Sequence, residues 1–179
     1  AMLKFDDAAD FGEDSSSLGN SAEKVGEQLA VSKRNTAKRG GARFSGTSSA
    51  FITLKPSETL TITDAEFTTQ MWVKRSRTHA LDPLVAHGSK TEAEAGQDTF
   101  FGFTKHDSLL FSVNTMDAVE ISGFGADDNT WIHWSATLDK DTKVMAVYRN
   151  GAPQGSKISS AMAVSTGNIV IGTNAARTA

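Results

Sequence analysis

The run Trp131-Ile132-His133-Trp134-Ser135-Ala136-Thr137-Leu138-Asp139 alternates bulky apolar with smaller or polar residues, and a second alternating run, Val144 to Tyr148, follows closely. Side chains of an extended strand point to opposite faces in turn, so this period of two fits a half-buried strand and not a helix. Ile132, Trp134, Ala136 and Leu138 fall on one face, and Val144, Ala146 and Tyr148 are expected to continue that apolar face on the return. Asp139-Lys140-Asp141-Thr142 supplies turn formers between the two runs. Asn150-Gly151 is the dipeptide that most favours a type I′ turn, which folds Ala152 to Ile158 back in its turn. Consecutive hairpins of this kind commit the chain to antiparallel sheet.

The rest of the sequence repeats the pattern. Phe51 to Leu54 stops at Pro56, Thr59 to Ile62 alternates, Phe67 to Lys74 carries Phe67, Met71 and Val73, and Leu84 to Gly88 precedes a polar stretch from Ser89 to Gln97. Phe100 to Phe103 and Leu109 to Val113 flank Lys105-His106-Asp107-Ser108, Val119 to Phe124 runs into Gly125-Ala126-Asp127-Asp128-Asn129, and Ile169 to Gly172 closes the series. Asp6 to Glu27 reads as a loop, and Lys33-Arg34-Asn35-Thr36-Ala37-Lys38-Arg39 as a basic segment leading to Gly40-Gly41. Many short strands without a helical segment predict an all-β fold, an antiparallel two-sheet β-sandwich of jelly-roll type, because parallel sheet would need crossover helices.

At 179 residues with 39% hydrophobic content, residues 1–179 are expected to form a single domain around one core. The absence of cysteine excludes disulfides and thiolate metal sites. A net charge of −3 gives no general attraction to nucleic acid or anionic lipid, and no apolar run is long enough to span a bilayer. Neither nucleic acid nor membrane insertion is therefore expected. No secretory signal pattern precedes Leu3-Lys4-Phe5.

Several blocks together resemble the concanavalin A-like lectin/glucanase superfamily, and within it the laminin G-like domains of the third type. Gly40-Gly41-Ala42-Arg43-Phe44-Ser45-Gly46 with Phe51-Ile52-Thr53-Leu54 is similar to that family's "GGALRFDG…YITL", and Phe67 to Lys74 to its "FTISAWVK". Trp131 to Asp139 is similar to "WHHVAVTYD" with Ile132 in place of the first histidine, Tyr148 to Gly151 to "YVNG", and Ile169 to Gly172 to "LVIGG". The resemblance implies a concanavalin A-like jelly roll serving as a non-catalytic recognition or adhesion module. It would be extracellular or surface-exposed, and it would bind a glycan, a glycoprotein surface or another protein chain. The family's final strand, of the "IDEVRIYN" kind, has no counterpart before Ala179. Either the sequence stops short of that strand, or the open edge is completed by another segment; the alternative role is then a structural or assembly domain whose edge a partner strand completes in trans.

Candidate sites follow from side-chain chemistry. Glycoside hydrolysis needs two placed carboxylates, which the superfamily's glucanases carry as Glu-x-Asp-x-x-Glu; no such run occurs, and Glu92 and Glu94 sit in a polar loop, so no enzyme is expected. His79, His87, His106 and His133 lack metal-ligand spacing, and His133 is read as structural. Calcium favours oxygen ligands from Asp, Asn and carbonyls in loops. Asp127, Asp128 and Asn129 offer such ligands, and Asp14 with Asn20 offers a second set, although acidic turns are commonly no more than turns. Trp72 and Trp134 are expected in the core. Phe124 and Trp131, flanking the acidic loop, are the expected exposed rings, so Phe124, Asp127, Asp128, Asn129 and Trp131 form the candidate ligand-binding rim, with Ser89 to Gln97 beside them. Lys33, Arg34, Lys38 and Arg39 suit a sulfated glycan, against the plainer reading of a solvated loop.

Overall fold

The structure, a computed structural model, describes residues 1–5, 12–26, 30–32, 41–44, 50–76, 78–88, 99–114, 117–124 and 129–173. Every regular element among them is a strand: β1 (Ala22–Val25), β2 (Ala30–Ser32), β3 (Gly41–Arg43), β4 (Phe51–Leu54), β5 (Ile62–Thr63), β6 (Phe67–Val73), β7 (Asp82–Gly88), β8 (Thr99–Phe103), β9 (Leu109–Val113), β10 (Asp117–Ile121), β11 (Ile132–Leu138), β12 (Val144–Arg149), β13 (Ala152–Ile158), β14 (Val164–Ser165) and β15 (Asn168–Ile171). They form a seven-stranded sheet ordered β1-β4-β15-β7-β8-β9-β10 and a four-stranded sheet ordered β13-β12-β11-β6, with the small pairs β14-β5 and β2-β3. Each recorded pairing is antiparallel.

The main core lies between the two sheets. Phe101, Phe103, Phe111 and Val113 of the large sheet meet Ile132, Trp134, Ala136 and Leu138 of β11, which alternate buried and half-buried along the strand as the sequence predicts. Trp134 is fully enclosed, with Phe103 at 5.8 Å and Phe124 at 5.0 Å in edge-on contact. Beyond the reach of the small sheet, Ile52, Leu54 and Ala22 are covered by Leu3, Phe5, Ala42 and Phe44.

Some expectations are corrected here. On β12 the residues turned into the core are Met145 and Val147, while Ala146 is buried on the other side and Val144 and Tyr148 are half-buried: the register Leu138↔Met145 and Ala136↔Val147 turns the odd-numbered residues inward. A shift of one residue moves a whole strand face to the other side, so register decides what composition alone cannot. Trp72 is 63% exposed and lies on the outer face. The segment read as a loop from Asp6 to Glu27 contains β1, whose Ala22↔Leu54 to Val25↔Phe51 pairing is supplied by β4. Thr59 to Ile62 contributes only the start of β5, because the 58–60 stretch is a turn closed by bonds to the Ser57 carbonyl. The Asn150-Gly151 turn has φ of 51° and 81°, the positive pair that type I′ requires.

The strand nearest the C-terminus, β15, lies inside the large sheet, bonded to β4 on one side and β7 on the other. Sheet edges among the described strands are instead β1 and β10 in the large sheet, and β13 and β6 in the small one.

Candidate functional site

The rim predicted from sequence is only partly brought together. Asp127 and Asp128, and with them most of the proposed calcium set, lie outside the described residues, as do Ser89 to Gln97 and the basic segment Lys33 to Arg39. Asn129 is exposed with φ of 56°. Trp131 is 37% exposed, and its ring edge comes within 3.5 Å of where a Cβ on Gly41 would stand. Phe124 does not present a free ring: it is half-buried against Trp134, with the Arg149 guanidinium 5.6 Å above it. Among the described residues, no three histidine or carboxylate side chains are grouped to hold a metal ion.

The buried aspartates serve the scaffold. Asp14 accepts the backbone N–H groups of Met2 (2.8 Å), Ser16 (2.9 Å) and Asn20 (2.7 Å). Burial pushes its carboxyl up, but these donors outweigh burial and hold it well below the usual carboxylate range. Asn20 in turn bonds Ser57 and Thr59, so the Asp14 and Asn20 pair read as a second cation set is a structural tie. Asp117 accepts the Ser160 hydroxyl (2.5 Å) and N–H (2.7 Å) and the Ser159 hydroxyl (3.0 Å), which lower its pKa to about 2 against the opposing effect of burial. Asp107 is lowered first by the His79 N–H at 2.8 Å, then by buried Arg75, which reaches Asp107 and Asp82 at 3.3 Å each and lies 3.9 Å over Phe103. That network ties the β6–β7 connection to the β8–β9 turn.

A different surface has the composition of a ligand platform. Along β6 the even-numbered residues Thr68, Gln70 and Trp72 face outward, and register places Thr137, Ser135 and His133 of β11 opposite them. The rows continue through Tyr148 and Ala146 of β12 to Pro153 and Ser156 of β13. None of these residues is a carboxylate, ammonium or guanidinium group. The Trp72 and His133 rings lie in contact, their centroids 5.3 Å apart and their planes tilted by 54°. The Asn150 turn fixes this end of the sheet: the His133 N–H donates to Asn150 Oδ1 at 2.9 Å, and the Asn150 N–H donates to the His133 carbonyl at 2.8 Å. An exposed indole bordered by an amide, hydroxyls and a phenol offers an apolar plane beside neutral hydrogen-bonding groups. Sequence reasoning missed this face because Trp72 alternates with Met71 and Val73, and only the β6–β11 register reveals which of them points inward.

A shallow groove of about 470 Å³ between the β10 and β13 edges is lined by Val119, Glu120, Ile121, Gln154, Ser156 and Lys157 and contains no aromatic ring.

A search of curated proteins finds no match to this chain. Solved structures with the same fold include the binding domain of Paraclostridial Mosquitocidal Protein 1, with TM-score 0.72 and 15% identity, covering 92% of this chain and 42% of that one. Another is domain 4 of AbnA, a GH43 extracellular arabinanase from Geobacillus stearothermophilus, in complex with arabinotriose, with TM-score 0.69 and 13% identity over 96% of this chain and 82% of that one. The Ruminococcus gnavus IT-sialidase CBM40 aligns with TM-score 0.52 and 13% identity, over 61% of this chain and 64% of that one. This chain thus spans about two fifths of the length of the toxin domain it resembles. The laminin G type 3 family model matches residues 45–179, and the chain belongs to the concanavalin A-like lectin/glucanases superfamily.

Proposed function

We propose that this protein is a non-catalytic recognition module, acting outside the cell or at its surface, that binds neutral carbohydrate on the outer face of its four-stranded sheet. The observation that carries the reading is Trp72, 63% exposed, with His133 opposite it and the uncharged strand residues Gln70, Ser135 and Tyr148 on the same face. The apolar face of a pyranose or furanose ring stacks on an indole, while its hydroxyls exchange hydrogen bonds with amide and hydroxyl side chains. The arabinotriose complex of the arabinanase domain supports carbohydrate as the ligand class. Trp131 and Asn129 border the same end of β11 and extend the contact toward the rim. Calcium held by Asp127, Asp128 and Asn129 would order that rim and belongs to the same proposal.

The test is a panel of neutral and acidic oligosaccharides measured by calorimetry, with and without chelator, on wild type and Trp72→Ala. Binding of a neutral ligand that Trp72→Ala weakens by about tenfold, or ~1.4 kcal/mol, is expected. Equal binding by the variant, or binding confined to acidic ligands, sinks the reading.

A further inference from the structure

The four sheet edges are not equally protected. At β1 the Ala22 N–H is taken by the Gly12 carbonyl at 2.7 Å, and Glu23 pairs with Lys55 at 2.7 Å. β10 carries Asp117 and Glu120, and β13 carries Pro153, Lys157 and a register shift opposite Val147 and Tyr148. These are the usual guards against edge pairing. β6, Phe-Thr-Thr-Gln-Met-Trp-Val, has no charge, no proline and no bulge, and pairs with β11 in unbroken register from Phe67 to Val73. Among the described residues, no backbone hydrogen bond reaches β6 from any segment other than β11.

Its inward residues are also incompletely covered. Phe67, Met71 and Val73 pack against the core yet stay half-buried, whereas the inward residues of β11 are 3% exposed or less. A strand added beside β6 would extend the ladder and cover that apolar row.

The flanking charges identify the occupant. Exposed Glu66 precedes β6 and exposed Lys74 follows it, each four positions from Gln70. An antiparallel pairing of β6 with itself, centred on Gln70, sets Glu66 of each copy against Lys74 of the other, Thr68 against Trp72 and Phe67 against Val73. A parallel pairing would set Glu66 against Glu66. We infer that β6 pairs antiparallel, about a two-fold axis, with β6 of a second copy of this chain. Two four-stranded sheets then become one continuous sheet, and both copies contribute Trp72 to a single outer face. The inference stands whether or not that face binds carbohydrate.

The chain has no cysteine, so one substitution reports the pairing. In the two-fold arrangement Gln70 faces its own copy at a Cα separation of about 4.5–5.5 Å, within disulfide reach. Mild oxidation of Gln70→Cys is expected to give a covalent dimer, and Ser135→Cys, on the same face one strand inward, is not. Light scattering over a concentration series should show wild type approaching twice the monomer mass. Lys74→Glu, which opposes like charges twice, should weaken association by roughly tenfold, and Glu66→Lys combined with Lys74→Glu should restore it. A wild-type monomer at every concentration overturns the inference, as does a dimer indifferent to the charge reversal or equal cross-linking at positions 70 and 135.

Discussion

Trp72 and Trp134 occupy paired strands in adjacent pairing rows, and replacing each by alanine separates the core from the outer face. Trp134 has no exposed surface and is gripped by Phe103 and Phe124, so Trp134→Ala removes a whole buried indole, at a cost of about 3–5 kcal/mol. Trp72 is 63% exposed, leaving little more than a third of its surface covered. Scaling the same loss by that fraction gives about 1–2 kcal/mol for Trp72→Ala, an upper estimate because denatured chains already cover some apolar area. The expected gap is therefore about 2.5 kcal/mol, and with a urea slope of about 2 kcal/mol per molar it separates the two unfolding midpoints by about 1 M. Urea titration followed by far-ultraviolet circular dichroism, which does not depend on the tryptophan removed, measures both variants. Midpoints that coincide would refute the assignment of the two rings to opposite faces.

Other consequences can be measured on the same protein. Asp117 is held at about 2 in the folded chain against an ordinary 3.8, so it stabilises the fold above about pH 3.8, and that contribution disappears as pH falls through about 2. Acid titration of Asp117→Asn should therefore show a flatter stability profile across that interval than wild type, and parallel profiles would count against the Ser159 and Ser160 contacts. Gly102→Ala places a Cβ 2.7 Å from the Asp82 carbonyl oxygen and 2.9 Å from the Pro83 Cα, so a loss of about 1–3 kcal/mol is expected in the same urea assay. Asn150→Ala forfeits the bond to the His133 N–H at 2.9 Å and puts alanine at a φ of 51°, for an expected loss of about 1–2 kcal/mol.

What the sequence disclosed depended on how local the signal was. The Ile132 to Leu138 alternation and the Asn150-Gly151 turn are set by neighbouring residues and the period of a strand, and both occur where expected. The inward face of β12 depends on how many residues separate Leu138 from its partner Met145, which turn composition does not encode. β1 is short and polar, and exists as a strand because β4 offers it an edge from far along the chain. The candidate site suffered most, since sequence marks a tryptophan as valuable without saying which way it points. Trp134 and Trp72 look alike in their runs, and the β6–β11 register sends one into the core and the other to solvent.

The interior position of β15 has a consequence for how the molecule comes into being. It separates β4 from β7, so before residues 168–171 are in place the large sheet exists as two unjoined pieces, β1-β4 and β7 to β10. Synthesis delivers the joining strand last of the described elements, and closing it demands contacts such as Ile52 with Ile171 across most of the chain. Folding dominated by such distant pairings is slow, in the range of about milliseconds to seconds. A growing chain would meanwhile present the facing edges of β4 and β7 unsatisfied, making the interval before β15 emerges the time at which this protein is most open to mispairing.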